Sequence, residues 1–290
     1  MRAYKQELLN QPLFFFTTLS LPETKDNFYC REVKQIKDSN MRKELMLAVL
    51  IDADNITYKN IKGMMEEIAK YGVPTFKRIY GDWTKPTLKG WKTVLLENAI
   101  TPIQQYSYTV GKNSSDSAMI IDAMDILYSS KVDGFCLVSS DSDFTRLAIR
   151  LREASMYVIG IGEKKTPEPF IAACDKFIYM EIIKKDEPEI TSSTKTTAPA
   201  KPKESISKID SRLIKLMAGS IDDLADDDGW AFLGDVGNLI LKKKPNFDPR
   251  NYGYLKLTPL IKSLGKFQID ERTTENRNIK HVFIRNKVSK

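Results

Sequence analysis

The chain has 290 residues, 42% hydrophobic and 29% charged, enough for two domains of ordinary size with real cores. Its one histidine, His281, excludes a multi-histidine metal site. Its three scattered cysteines, Cys30, Cys136 and Cys174, exclude a zinc cluster or a disulfide framework and make a reducing cytoplasm the default. The formal charge of +7 is uneven: Ala231–Lys290 carries 13 Lys and Arg against 5 Asp and Glu, which points to a polyanionic partner, nucleic acid first.

Residues 1–44 read as a poorly ordered extension. Its apolar run Leu13–Leu21 is short, broken by Thr17, Thr18 and Ser20, and lacks a small-x-small cleavage site, so it is not read as a signal peptide. Met41 or Met46 offers an alternative start. No stretch approaches the roughly 20 apolar residues of a membrane span.

From Leu45 the pattern becomes regular. Leu45–Ile51 is a continuous apolar run, as for a strand buried on both faces. A helix is predicted over Asn60–Tyr71, with Ile61, Met64, Met65 and Ile68 on one face and Gly72 as its stop. Val73–Tyr80 reads as a strand, Pro86–Ala99 as a helix, Pro102–Tyr108 as a strand and Asp116–Ser130 as an apolar helix. Strand Phe135–Ser139, helix Asp143–Ala154, strand Met156–Ile161, a short helix at Phe170–Ala173 and an edge strand Lys176–Ile183 follow. Such alternation predicts an α/β fold, a Rossmann-like parallel sheet flanked by helices, with every strand-to-helix loop on one edge. Gly160 and Gly162 read as a strand-end turn rather than a nucleotide loop, because Lys165 replaces the third glycine.

After Lys184 the composition shifts to Ser, Thr, Pro, Lys and Glu, so residues 185–208 read as a flexible linker. Residues 209–287 then form a second unit. Helices are predicted at Ile209–Asp223, Trp230–Leu241 and Leu257–Leu264, and strands at Phe267–Asp270 and His281–Arg285. Three helices and a β-wing predict a winged-helix-like module.

The chemistry concentrates at the predicted loop edge. Asp52 and Asp54 follow the first strand, Asp116 opens a helix, and Asp141 and Asp143 share one tight loop. Single aspartates are ordinary helix starters, but two per loop exceed what capping needs. Carboxylates gathered there repel unless a hard cation neutralises them, which suggests Mg²⁺ or Mn²⁺. Asp122 and Asp125 lie on the helix after Asp116 but off its face, so they read as solvent or salt-bridge residues, Asp122 as a reserve ligand. Lys112 and Asn113 are candidates to contact a phosphate, and Ser139, Ser140 and Ser142 to donate hydrogen bonds there, with ordinary loop polarity as the equal alternative. Trp83 and Trp91 read as core or lid residues, and His281 as structural.

The segments LIDADN, KRIYGDW, PIQQYSYTVGKNSSDSAMIIDAMDILY and VSSDSDFTRLAIRLRE, in this order over Leu45–Glu181, resemble the NYN family of the PIN-like nuclease superfamily, most closely its LabA-like group. The resemblance, taken over 45–184, implies a metal-dependent, usually RNA-cleaving endonuclease. Its catalytic and metal-binding carboxylates map onto Asp52, Asp116, Asp141 and Asp143, with Asn55 as a polar helper. The segment GWAFLGDVGNLILKKKPNFDPRNYGYLKLTPLIKSL is similar to LOTUS (OST-HTH) domains, which implies binding to RNA, in some members structured and G-rich, and in others contact with proteins. Lys242, Lys243, Lys244, Arg250, Tyr252, Lys256 and Lys262 are the candidate RNA-binding positions, unless Tyr252 and Tyr254 simply pack under the wing. Two alternatives compete: a catalytically silent RNA-binding adaptor, and a haloacid-dehalogenase-type phosphatase using Asp52-x-Asp54. Oligomeric state is left open, a homodimer being compatible with related folds.

Overall fold

A computed structural model describes residues 44–106, 114–183, 207–273 and 280–287. The extension 1–43, most of the linker, and Lys112 and Asn113 lie outside the described residues. The first apolar run becomes strand β1 (Met46–Asp52), buried from Leu47 onward. Five further strands follow: β2 (Val73–Gly81), β3 (Thr101–Gln104), β4 (Gly134–Val138), β5 (Tyr157–Gly162) and β6 (Lys176–Tyr179). All neighbours pair in parallel, in the order β3-β2-β1-β4-β5-β6. The chain runs outward from β1 to one edge and then returns to build the other half. Order therefore reverses between β1 and β4, where an open α/β sheet leaves a crevice at its carboxyl edge.

Period-two alternation along β1 feeds two cores. Ala48 and Leu50 pack with Met119 and Ala123 of α3 (Ser114–Tyr128) and with Leu147 and Leu151 of α4 (Thr145–Glu153), given that α1 spans Ile61–Ile68 and α2 Trp91–Glu97. Leu47, Val49 and Ile51 pack on the opposite face with Ile61, Met64 and Ile68 of α1 and with Trp91 of α2. A short α5 (Glu168–Ala173) precedes β6. The helix predicted over Pro86–Ala99 is broken: Pro86–Leu88 forms a 3-10 turn, and the α-helix starts only after Gly90, a poor helix former.

The C-terminal unit comprises α6 (Ser211–Asp222), β7 (Ala231–Phe232), α7 (Leu233–Lys243), α8 (Leu257–Leu264), β8 (Phe267–Thr273) and β9 (Lys280–Asn286). Its core includes Leu213, Met217, Val236, Ile240, Leu260 and Ile284. The helix predicted from Trp230 begins later, because Ala231 and Phe232 instead pair with Ile284 and Phe283 in an antiparallel sheet of order β7-β9-β8. That pairing spans some 50 residues of sequence, beyond the reach of local periodicity.

This unit docks on the edge of the larger sheet. The Phe177 N–H of β6 donates to the Pro245 carbonyl (2.9 Å), and Asn246 donates to the Tyr179 hydroxyl (2.8 Å). The segment thus covers an edge strand that would otherwise present unpaired backbone groups. Arg250 places its fork on both oxygens of Glu67 (2.9 and 2.7 Å) and also holds Asp248. The Glu67 side chain is 4% exposed. Burial works to raise its carboxyl, but the hydrogen bonds and charges of Arg250 and Lys70 outweigh it and bring it down to about 2.

Gly160 and Gly162 lie inside β5, where the sheet is too tight for a side chain. A Cβ on Gly162 would approach the Ser139 carbonyl oxygen and Thr166 Oγ1 to 2.6 Å. Gly162→Ala is expected to destabilise the fold by about 1–3 kcal/mol in urea titrations through overpacking. Gly219→Ala in α6, where a Cβ meets open space, is expected to be neutral or to stabilise by up to about 1 kcal/mol.

Candidate active site

Asp52 ends β1 at the sheet's switch point and is 1% exposed. One of its oxygens accepts the Asp54 N–H (3.0 Å); the other accepts Asn55 Nδ2 (2.6 Å) and Ser139 Oγ (2.9 Å). Burial raises the Asp52 carboxyl, and these three hydrogen bonds oppose the rise. Ser139 also accepts the Asp141 N–H (3.1 Å), so one hydroxyl ties the β1 end to the loop after β4. Asp141 in turn accepts the Asp143 N–H (3.0 Å) at the 3-10 turn Ser142–Phe144. This fixes the Asp141 carboxylate and the backbone that carries Asp143.

Asp116 enters from the first turn of α3. Asp116, Asp141 and Asp143 converge, each with an oxygen within 4.8 Å of the others. Burial, then the charges of Asp52, Asp141, Asp143 and Asp54, hold the Asp116 carboxyl up at about 6. Ionised pairs at such separations repel by ~1–3 kcal/mol each, depending on screening. Half-exposed, all-oxygen and like-charged, the group fits a hard divalent cation. Asp54 lies beside it, exposed, taking Ser115 Oγ (3.1 Å) and an ion pair with Lys85 (3.4 Å).

The remaining polar and aromatic residues of this edge serve its frame or the core, Asp122 and Trp91 as the sequence predicts. Ser139 and Ser140 are buried and frame the site rather than facing a phosphate, since Ser140 Oγ accepts the Glu163 N–H (2.8 Å). Thr166 is buried and donates to the Glu163 carbonyl (2.6 Å), while Lys165 pairs with Glu163 (2.7 Å). Asp122 faces away and is held by Arg78 and the Tyr80 hydroxyl. Trp91 is core, and Trp83 Nε1 donates to the Ile103 carbonyl (3.0 Å). Burial pushes the Cys174 thiol up to about 12 and raises Cys136 as well, so neither is a nucleophile at neutral pH. Ser115 was missed. Its signal was its place beside Asp116 in the first turn of an apolar helix.

The sequence matches the NYN domain over residues 46–181 and the OST-HTH/LOTUS domain over residues 204–279. The chain joins an NYN domain to a C-terminal LOTUS domain. No curated protein matches it. Among solved structures it is similar to a protein of unknown function from Vibrio parahaemolyticus, at 18% identity over 49% of this chain and 96% of that one, TM-score 0.43. It is also similar to an uncharacterized protein from Nitrosomonas europaea, at 31% identity over 36% of this chain and 95% of that one, TM-score 0.27. A segment of a Chromobacterium violaceum protein shares 33% identity over 27% of this chain and 83% of that one, TM-score 0.23.

The NYN domain indicates a nuclease-type hydrolase, and the LOTUS domain suggests RNA binding. On the LOTUS domain the seven candidate residues divide by environment. Arg250 is consumed by the dock, and Tyr252 is buried against Phe247. Lys243 pairs with Asp223 (2.6 Å), Lys262 with Glu271 (3.0 Å), and Lys244 reaches the Tyr252 hydroxyl (3.4 Å). Lys242 and Lys256 are exposed. Among the described residues no helix is long and apolar enough to cross a membrane.

Proposed function

We propose that the chain is a metal-dependent endoribonuclease in which Asp116, Asp141 and Asp143 hold Mg²⁺ or Mn²⁺ and the LOTUS domain brings the RNA. The observation that carries this reading is the convergence of three carboxylates at the switch point of an NYN sheet. When bound, the cation would polarise a phosphate oxygen and make water more acidic, which is what hydrolysis needs without a histidine or a reactive thiol. The protein's own part is positional. Ser139 and the Asp141 cap fix the loop, and buried Asp52 orients Asn55 at the rim. Its charge also adds to the negative potential at Asp116.

A silent adaptor has no use for mutually repelling carboxylates, whose cost persists without a cation. A phosphatase with Asp52 as nucleophile needs a free carboxylate oxygen, whereas both of its oxygens accept hydrogen bonds in a buried position. The domains are taken as 45–184 and 209–287, joined by 185–208, working in the cytoplasm.

The test is incubation of the purified chain with end-labelled RNA and DNA of one sequence in Mn²⁺ and in Mg²⁺. Internal cuts in RNA are expected; cleavage of DNA alone would refute the RNA assignment. For the LOTUS face, Lys242→Ala and Lys256→Ala should each weaken RNA binding and reduce the slope of log K against log salt by about 1. Lys262→Ala, already paired, should do less. Unchanged slopes in fluorescence anisotropy would make this face an ordinary solvated surface.

A further inference from the structure

A cavity of about 420 Å³ lies at the junction of the two domains, lined by Lys176, Leu233, Gly237, Leu241, Phe247 and Leu257 among others. Its volume falls in the range of small-molecule sites, which are apolar with a few placed polar groups. Lys176, on β6 of the NYN domain, contributes the cation; the LOTUS domain supplies the apolar walls and two further polar groups, Asn238 and the Asp248 carboxylate that Arg250 holds.

Lys176 is 8% exposed. Among the described residues its ammonium has the face of Tyr71 at 5.4 Å and no hydrogen-bonding acceptor. The nearby carboxylates are already committed: Glu67 is held by Arg250 and Lys70, and Asp248 by Arg250. Lys70, from an exposed position, and Arg250 thus take both carboxylates, and among the described residues Lys176 is the one of these three cations with no carboxylate in direct contact. An ammonium that lines a cavity and has no acceptor from the protein must be met there by water or by a ligand. Burial accordingly holds the Lys176 ammonium below its usual range, with Asp248 and Glu67 opposing. Gly237 keeps the wall of α7 open, since even a Cβ there would come within 3.2 Å of Leu257. A helix gives up about 1 kcal/mol for such a glycine.

We propose that this cavity binds a small amphiphilic monoanion, its anionic head at Lys176 and its apolar body against α7 and α8. Such a ligand supplies Lys176 with the acceptor it lacks and bridges both domains. A nucleobase fits less well, because the walls offer few of the polar partners its several donors and acceptors would need.

The full-length protein is titrated with 1-anilinonaphthalene-8-sulfonate, an aromatic monoanion, followed by fluorescence. Saturable one-site binding is expected, weakened about tenfold or more in Lys176→Met and unchanged in Asp143→Asn. On the wild-type protein, octanoate should displace the dye about tenfold better than octanol, a comparison that does not depend on any variant folding. Equal displacement by acid and alcohol, binding that does not saturate, or full affinity in a folded Lys176→Met would overturn the proposal. Displacement by a short RNA but not by octanoate would assign the cavity to a nucleobase and overturn it equally.

Discussion

Asp116→Asn is expected to abolish RNA cleavage while making the metal-free protein more stable. The two effects have one cause. At neutral pH in EDTA the wild-type Asp116 is ionised beside Asp52, Asp141, Asp143 and Asp54, and asparagine of the same shape removes that repulsion. The sign follows from linkage. The folded-state carboxyl, at about 6, lies above its unfolded value near 3.8, so the folded state binds the proton more tightly. Its favourable contribution is present at low pH and is lost as pH rises from about 4 through about 6.

The melting temperature of wild type relative to Asp116→Asn should therefore fall across that window in EDTA. Above it the variant should melt higher by roughly 2–4 °C for each kcal/mol relieved. Adding Mn²⁺ should reverse the order, because a ligand at a hundred times its Kd stabilises only the protein that binds it, by about 2.7 kcal/mol. A variant that is less stable than wild type in EDTA, or that gains as much from Mn²⁺, would speak against a carboxylate site built for a cation.

The second large effect is at the domain dock. Arg250→Ala leaves Glu67, 4% exposed, with Lys70 alone, and Asp248 without its guanidinium. Removing one partner of a buried pair typically costs 3–5 kcal/mol, because the remaining charge stays uncompensated. We expect a loss of about 3 kcal/mol, seen in calorimetry as a lower melting temperature or as separate melting of the two domains. Glu67→Gln should cost less, since the amide still accepts from Arg250. Acid should mimic the defect. Glu67 lies near 2 when folded against 4.5 when free, so its contribution is present above about 4.5 and fades as pH falls towards 2. An Arg250→Ala protein that melts as wild type would mean the dock adds nothing in solution.

The sheet was legible because its strands are apolar runs bounded by turn residues. Leu45–Ile51 lies within one residue of β1, and the helix predicted over Asp116–Ser130 is offset by two residues at each end, running Ser114–Tyr128. Helix periodicity also sets Asp122 apart from the site face, and Arg78 and Tyr80 hold it away from the cluster. What local pattern could not see was long-range partnership. Arg250 looked like an RNA contact because it is basic in a basic segment; its partner Glu67 is 183 residues away. A hint was present, since Glu67 adjoins the apolar stripe Ile61, Met64, Ile68, where a surface helix rarely buries a carboxylate. In the same way the clustered aspartates were visible as a set, but not their division of labour. Asp52 turns inward to Asn55 and Ser139, whereas Asp116, Asp141 and Asp143 meet one another.

The central claim is that this NYN domain cuts RNA through a cation held by those three carboxylates. A single time course tests it most directly: end-labelled single-stranded RNA with wild type and Asp143→Asn, in Mn²⁺, in EDTA, and after restoring excess Mn²⁺. The expected result is internal cleavage by wild type that stops in EDTA, returns with Mn²⁺ and is absent throughout in Asp143→Asn. Cleavage that persists in EDTA, or that Asp143→Asn carries out at the wild-type rate, would contradict it.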